Sequence, residues 1–100
     1  MNWFRETKIL IAQKIPSDEK YVLSIIERIS KLSDYKKIRS LVPLLNTYID
    51  RILNTPTVTP GCLGNIINYA KRFRPHLNPN DPHSLNNKLT VLTARFGMCK

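Results

Sequence analysis

The sequence predicts an all-α fold, an antiparallel up-and-down four-helix bundle with an additional short N-terminal helix. Three observations carry this. Apolar residues recur every three or four positions, and strand-type alternation is absent. Each recurring segment begins at a helix-start residue. The segments from Ser17 to Phe96 are joined by one to about seven residues, which favours antiparallel neighbours.

The first segment, about Asn2 to Ile15, places Trp3, Phe4, Leu10, Ile11 and Ile15 on one side, and Pro16 ends it because the residue before a proline avoids the helical region. Ser17 is then expected to cap a helix, with Asp18 and Glu19 at its positive end and a stripe of Val22, Ile25, Ile26, Ile29 and Leu32. Asp34 caps the next. Its stripe is Ile38, Leu41, Val42, Leu45, Tyr48, Ile49, Ile52 and Leu53, with Pro43 inside as either a kink or a restart capped by Ser40. After the loop "NTPTVTP", Thr59 as N-cap and Pro60 as first helical residue open a helix burying Leu63, Ile66, Ile67, Ala70 and Phe73, limited by Pro75. The loop "HLNPNDP" leads to Asp81 and Pro82, which repeat that start. Leu85, Leu89, Leu92 and Phe96 follow, with Gly97 placed as the stop. The expected organisation is one domain: residues 1–16 as an N-terminal segment, 17–97 as the bundle and 98–100 as a short tail.

One hundred residues suffice for a single modest core, and a hydrophobic fraction of 42% excludes a disordered tail. The formal charge is +9, from 16 Lys and Arg against 7 Asp and Glu, which favours anionic partners: nucleic acid, an anionic membrane face or an acidic protein. No arm holds the excess; the segments 1–16, 17–33, 34–54, 55–75 and 76–100 carry +2, 0, +2, +3 and +2. The apolar run Ile9 to Ala12 is too short for a signal-peptide core, and no stretch reaches bilayer-spanning length, so a cytoplasmic location is expected. Cys62 is expected to be a free, small core residue in a reducing compartment, with a Cys62–Cys99 bridge as the alternative.

Chemistry is sparse. His76 and His83, near Asp81, lie in a proline-rich loop that lacks three or four convergent ligands, so no metal is expected. A first-turn position activates a thiol such as Cys62, but no partner histidine or oxyanion site accompanies it. Phosphate loops, paired carboxylates and nucleophile elbows are absent, so neither enzyme activity nor a cofactor is expected. Two basic groups remain: Lys71, Arg72 and Arg74 with His76, and Lys31, Lys36, Lys37 and Arg39. Both also read as solvated faces, and the first complements a helix C-terminus. Trp3 and Phe4 beside Arg5 and Lys8 read as a staple onto the bundle, with anchoring at a membrane interface as the alternative.

The stretches "DYKKIRSLVPLLNTYIDRIL", "TPGCLGNIINYAKRF", "HLNPNDP" and "SLNNKLTVLTARFG", in this order, resemble the pediocin-like (class IIa, enterocin A type) bacteriocin immunity proteins. "ARFG", Arg95 to Gly97, resembles that family's closing "R-x-G" or "R-Y-G" element, and the likeness covers about two-thirds of the chain. Family members usually carry a longer tail, whereas Met98, Cys99 and Lys100 alone follow Gly97, and the segment with Pro16 is additional. The resemblance implies a cytosolic antiparallel four-helix bundle, peripheral on the inner membrane face. There it would associate with the bacteriocin-bound mannose phosphotransferase permease and block the pore. Specificity would lie mainly from Thr59 to Lys100, with Lys71, Arg72, Arg74, Lys88 and Arg95 as the candidate partner-binding surface and a weak attraction to the anionic leaflet. The alternative is a small nucleic-acid-associated or nucleoprotein-inhibiting regulator, phage-encoded for example, using the same cations.

Overall fold

Residues 16–74 and 77–99 are described by the computed structural model, and among them four helices and no strand occur: α1 (Ser17–Ser30), α2 (Tyr35–Ile52), α3 (Gly61–Phe73) and α4 (Pro82–Met98). The helical segment expected before Pro16 lies outside the described residues.

α1 starts one residue earlier than Ser17 as cap would place it. Pro16 is the N-cap, and its carbonyl accepts the Glu19 N–H at 3.1 Å, so Ser17 sits inside the first turn. Val22, Leu23, Ile25, Ile26 and Ile29 are all buried. Leu23 falls outside the expected stripe because α1 packs against all three other helices and needs a wider apolar face than a surface helix does.

Asp34 caps α2, accepting the Lys36 N–H at 2.9 Å. Pro43 stands on the exposed side of a helix that runs without a break to Ile52, and no restart occurs at Ser40, whose hydroxyl donates to the Lys37 carbonyl instead. Leu41, Val42, Leu45, Ile49 and Ile52 face the core.

The loop before α3 is held from below. Glu19 is 2% exposed, and its carboxylate accepts the backbone N–H groups of Val58 and Thr59 at 2.9–3.2 Å. Thr59 is therefore not the N-cap; it is buried in the loop, Pro60 takes the cap position and α3 opens at Gly61 with φ 69°. A left-handed backbone there suits glycine. Gly64 serves a second need, since a Cβ on it would collide with the Thr59 carbonyl oxygen. The loop crosses α3 where a side chain is missing.

α3 buries Leu63, Ile66, Ile67 and Ala70, while Phe73 is half-buried rather than turned fully inward. Leu77 fills the core from the next loop, and its carbonyl accepts from Asn46 Nδ2 at 2.9 Å. Asp81 caps α4 by accepting the Ser84 N–H at 3.3 Å, with Pro82 in the first turn. Leu85, Leu89, Leu92 and Phe96 are buried. Gly97 does not stop the helix, which continues through Met98 to the cap residue Cys99.

α1 lies at the centre of the packing. α3 and α4 also pack together, α3 meets α2, and the α2 and α4 backbones are not in close contact. Burying one Leu or Ile fully is worth about 1.5–3 kcal/mol, whereas an exposed ion pair contributes about 0–1 kcal/mol. The fold therefore rests mainly on its apolar interior, with smaller contributions from surface ion pairs.

Candidate partner-binding face

α3 and α4 together contain no Asp or Glu, whereas α1 carries Asp18, Glu19 and Glu27 and α2 carries Asp50. Their adjoining surfaces are cross-linked at one end by a disulfide between Cys62, in the first turn of α3, and Cys99, at the cap of α4. At the other end Lys88 Nζ stands 5.2 Å from the Phe73 ring centroid. Between these, the Arg95 guanidinium lies 3.9 Å from the Tyr69 centroid, and Tyr69 meets Phe73 edge-on at 4.5 Å. Tyr69 and Phe73 are four positions apart on α3, and Lys88 and Arg95 seven apart on α4. The result is a ladder of cation, ring, ring and cation across the seam between two helices.

The five candidate cations divide by what they touch. Lys71 Nζ donates to the Thr55 carbonyl at 2.6 Å and to Thr57 Oγ1 at 2.9 Å, so it ties the incoming loop to α3. Arg74 Nη2 meets Asp50 Oδ2 at 2.7 Å and ties the end of α3 to α2. Arg72, Lys88 and Arg95 have no carboxylate partner among the described residues. Arg72 and Arg95 are exposed and, with Asn65, Asn68 and Tyr69, line a depression of about 370 Å³. Thr57 Oγ1 accepts from Lys71 and therefore donates its own proton to Asn68 Oδ1 at 2.6 Å. That contact orients the Asn68 amide and leaves its N–H donors to the depression.

Tyr69 is the member that the sequence reading passes over. Its only signal is a position four before Phe73 and three before Arg72, a spacing that puts ring, ring and cation on neighbouring turns. The face also overturns the expectation of a free core thiol at Cys62, which is exposed and bridged to Cys99. The bridge follows from helix ends that place the two Cα atoms 5.7 Å apart, inside the range a disulfide spans.

The second basic group is arranged differently. Lys31 pairs with Glu27 at 3.0 Å, and Arg39 donates to Asn80 Oδ1 at 3.2 Å. A cleft of about 390 Å³ there is lined by Arg28, Lys31, Leu32, Lys37, Ser40 and Leu41, with no aromatic ring. His83 is exposed at the start of α4 and His76 lies outside the described residues. Among the described residues no group of three or more His, Cys, Asp or Glu gathers, and no helix is long and apolar enough to cross a membrane. No protein-family model, curated protein or solved structure matches the chain.

Proposed function

We propose that this chain is a bacteriocin immunity protein, an antiparallel up-and-down bundle that protects a cell by contact and without catalysis. The observation that carries the reading is the carboxylate-free, cation–aromatic face of α3 and α4. It falls within Thr59 to Lys100, the half in which the resemblance puts partner specificity. Arg and Tyr side chains are among the residue types that most often anchor protein interfaces. Supporting the antiparallel order, Arg51 near the end of α2 meets Asp18 near the start of α1 at 3.3 Å, and Tyr21 stacks on Tyr48 at 4.8 Å. The Cys62–Cys99 and Lys88–Phe73 contacts pair opposite ends of α3 and α4 in the same sense.

In this reading the protein works at the inner face of the cell membrane. Anionic lipid attracts it at about 1 kcal/mol per well-placed Lys or Arg. Arg72, Lys88 and Arg95 then engage an acidic surface of the bacteriocin-bound sugar permease, and the bound bundle blocks the pore. The test is expression in a strain sensitive to pediocin-like peptides. Survival at peptide concentrations that kill the parent is expected; unchanged killing by every such peptide refutes the reading.

The cleft between α1 and α2 favours a second reading, a nucleic-acid-associated regulator, because Arg28, Lys31 and Lys37 converge on it. That reading requires binding whose logarithm falls linearly with the logarithm of salt concentration, and absence of any DNA or RNA shift at low salt removes it.

A further inference from the structure

We infer that the α3–α4 face reads a helical segment of an acidic partner through two side chains one turn apart, a carboxylate between Arg72 and Arg95 and an apolar side chain beside the Cys62–Cys99 bridge. This rests on the reading of the chain as a recognition protein, not on which receptor it meets.

Two depressions adjoin on this face. The first is the cationic one, lined by Asn65, Asn68, Tyr69, Arg72 and Arg95. The second, of about 380 Å³, is lined by Cys62, Asn65, Ile66, Arg95 and Met98. Asn65 and Arg95 are walls of both, so the two depressions share a boundary. Residues four positions apart on a helix present their side chains about 5–6 Å apart, so one helical segment offers a neighbouring side chain to each of two adjoining depressions.

The chemistry of each half is distinct. A guanidinium holds a carboxylate through two parallel N–H donors, and Arg95 is already stacked on Tyr69 before any ligand arrives. Ordering the guanidinium in advance removes part of the entropy cost of binding. Asn68 contributes amide donors held in place by Thr57. Neither helix supplies a carboxylate that would compete. The second half is lined by a disulfide sulfur, an isoleucine and a methionine, which are soft, apolar and adaptable surfaces. Met98 is 82% exposed. Among the described residues nothing covers it, and an apolar side chain seated there removes that surface from water. A nucleic-acid backbone would use cations spaced along a track and gains little from an apolar depression beside one guanidinium.

The test uses the full, oxidised, isotope-labelled chain and a stapled Ala-rich helical peptide of about fourteen residues carrying Leu and Glu four positions apart. Amide shifts are expected at residues 62–72 and 92–99. Replacing the peptide Glu by Gln, or its Leu by Ala, should each weaken binding about fivefold or more. Arg95→Ala should make the protein indifferent to Glu against Gln, and Met98→Ala indifferent to Leu against Ala, with both variants keeping the parent's dispersed spectrum. Shifts centred on α1 and α2, or affinity insensitive to either peptide side chain, overturn the inference. So does a stronger response of the same resonances to phosphatidylserine vesicles or to duplex DNA, which would assign the face to lipid or nucleic acid. Loss of protection in cells with the peptide result intact removes the immunity reading alone. Protection that survives both Arg95→Ala and Met98→Ala removes this inference alone.

Discussion

The carboxylate of Glu19 accepts the backbone N–H of Thr59 at 2.9 Å across 40 positions of sequence, joining the first turn of α1 to the loop that opens α3. The same carboxylate accepts the Val58 N–H, so one buried side chain satisfies two loop donors that no helix supplies with partners. Hydrogen bonds to a charged group contribute about 1.5–3 kcal/mol, and a buried donor left unpaired costs a similar amount. Glu19→Ala is expected to lower the free energy of unfolding by about 2–4 kcal/mol in urea titrations, and Glu19→Gln by about half as much because its carbonyl still accepts. An alanine variant within about 0.5 kcal/mol of the parent would show that the loop is held by other contacts.

The Cys62–Cys99 bridge closes a segment with a sequence separation of 37. In the chain-entropy treatment a loop of this length corresponds to about 4 kcal/mol of stabilisation through the unfolded chain, an upper figure. Reduction, or the pair Cys62→Ser and Cys99→Ser, is expected to lower the unfolding free energy by about 2–4 kcal/mol while helical circular dichroism remains. Disulfides are rare in reducing cytosol. Alkylation of thiols at the moment of cell lysis, followed by mass spectrometry, shows whether the form present in cells is bridged; two alkylated cysteines would identify it as the dithiol.

Gly64 and Gly97 both lie inside helices but should respond oppositely to alanine. A Cβ at Gly64 meets the Thr59 carbonyl, backbone that Glu19 already holds, while a Cβ at Gly97 has nothing within 4 Å. Gly64→Ala is expected to cost about 1–3 kcal/mol or more through overpacking, and Gly97→Ala to add about 0.5–1 kcal/mol through helix propensity. Equal melting temperatures for the two variants would contradict the close approach of loop and helix.

The helical stripes were legible because burial between packed helices follows the helix period, and Val22 to Ile29, Leu41 to Ile52 and Leu85 to Phe96 lie where the period puts them. Asp34 and Asp81 were legible as caps because their side chains act within three residues. What escaped depends on distant partners. Glu19 read as a first-turn acid, since nothing local marks it as the anchor of Val58 and Thr59. Gly97 read as a stop because glycine commonly ends helices, but the helix runs one residue further to Met98 and is capped by Cys99, which the bridge holds to α3. The candidate cations were legible as a group and not by role, because Asp50, Thr55 and Thr57, which distinguish Arg74 and Lys71 from Arg72 and Arg95, come from other elements.

That division of roles makes the last prediction. Lys71 donates to two loop oxygens and is half-buried, so Lys71→Ala should cost about 1–2 kcal/mol of stability. Arg74→Ala breaks a partly exposed ion pair with Asp50 and should cost about 0.5–1 kcal/mol. Arg72→Ala should change stability by less than about 0.5 kcal/mol, because it has neither an acceptor nor a ring among the described residues. Arg95→Ala loses its stacking on Tyr69 and should cost about 0.5–1 kcal/mol. Partner engagement should follow the reverse order. In the protection assay Arg72→Ala and Arg95→Ala should reduce the tolerated bacteriocin concentration about tenfold, while Lys71→Ala and Arg74→Ala stay near the parent once matched for protein level. Each variant is thus measured twice, by urea unfolding and by survival. If loss of protection tracks loss of stability across the four, the cations act through the fold alone and the α3–α4 face is not the contact surface.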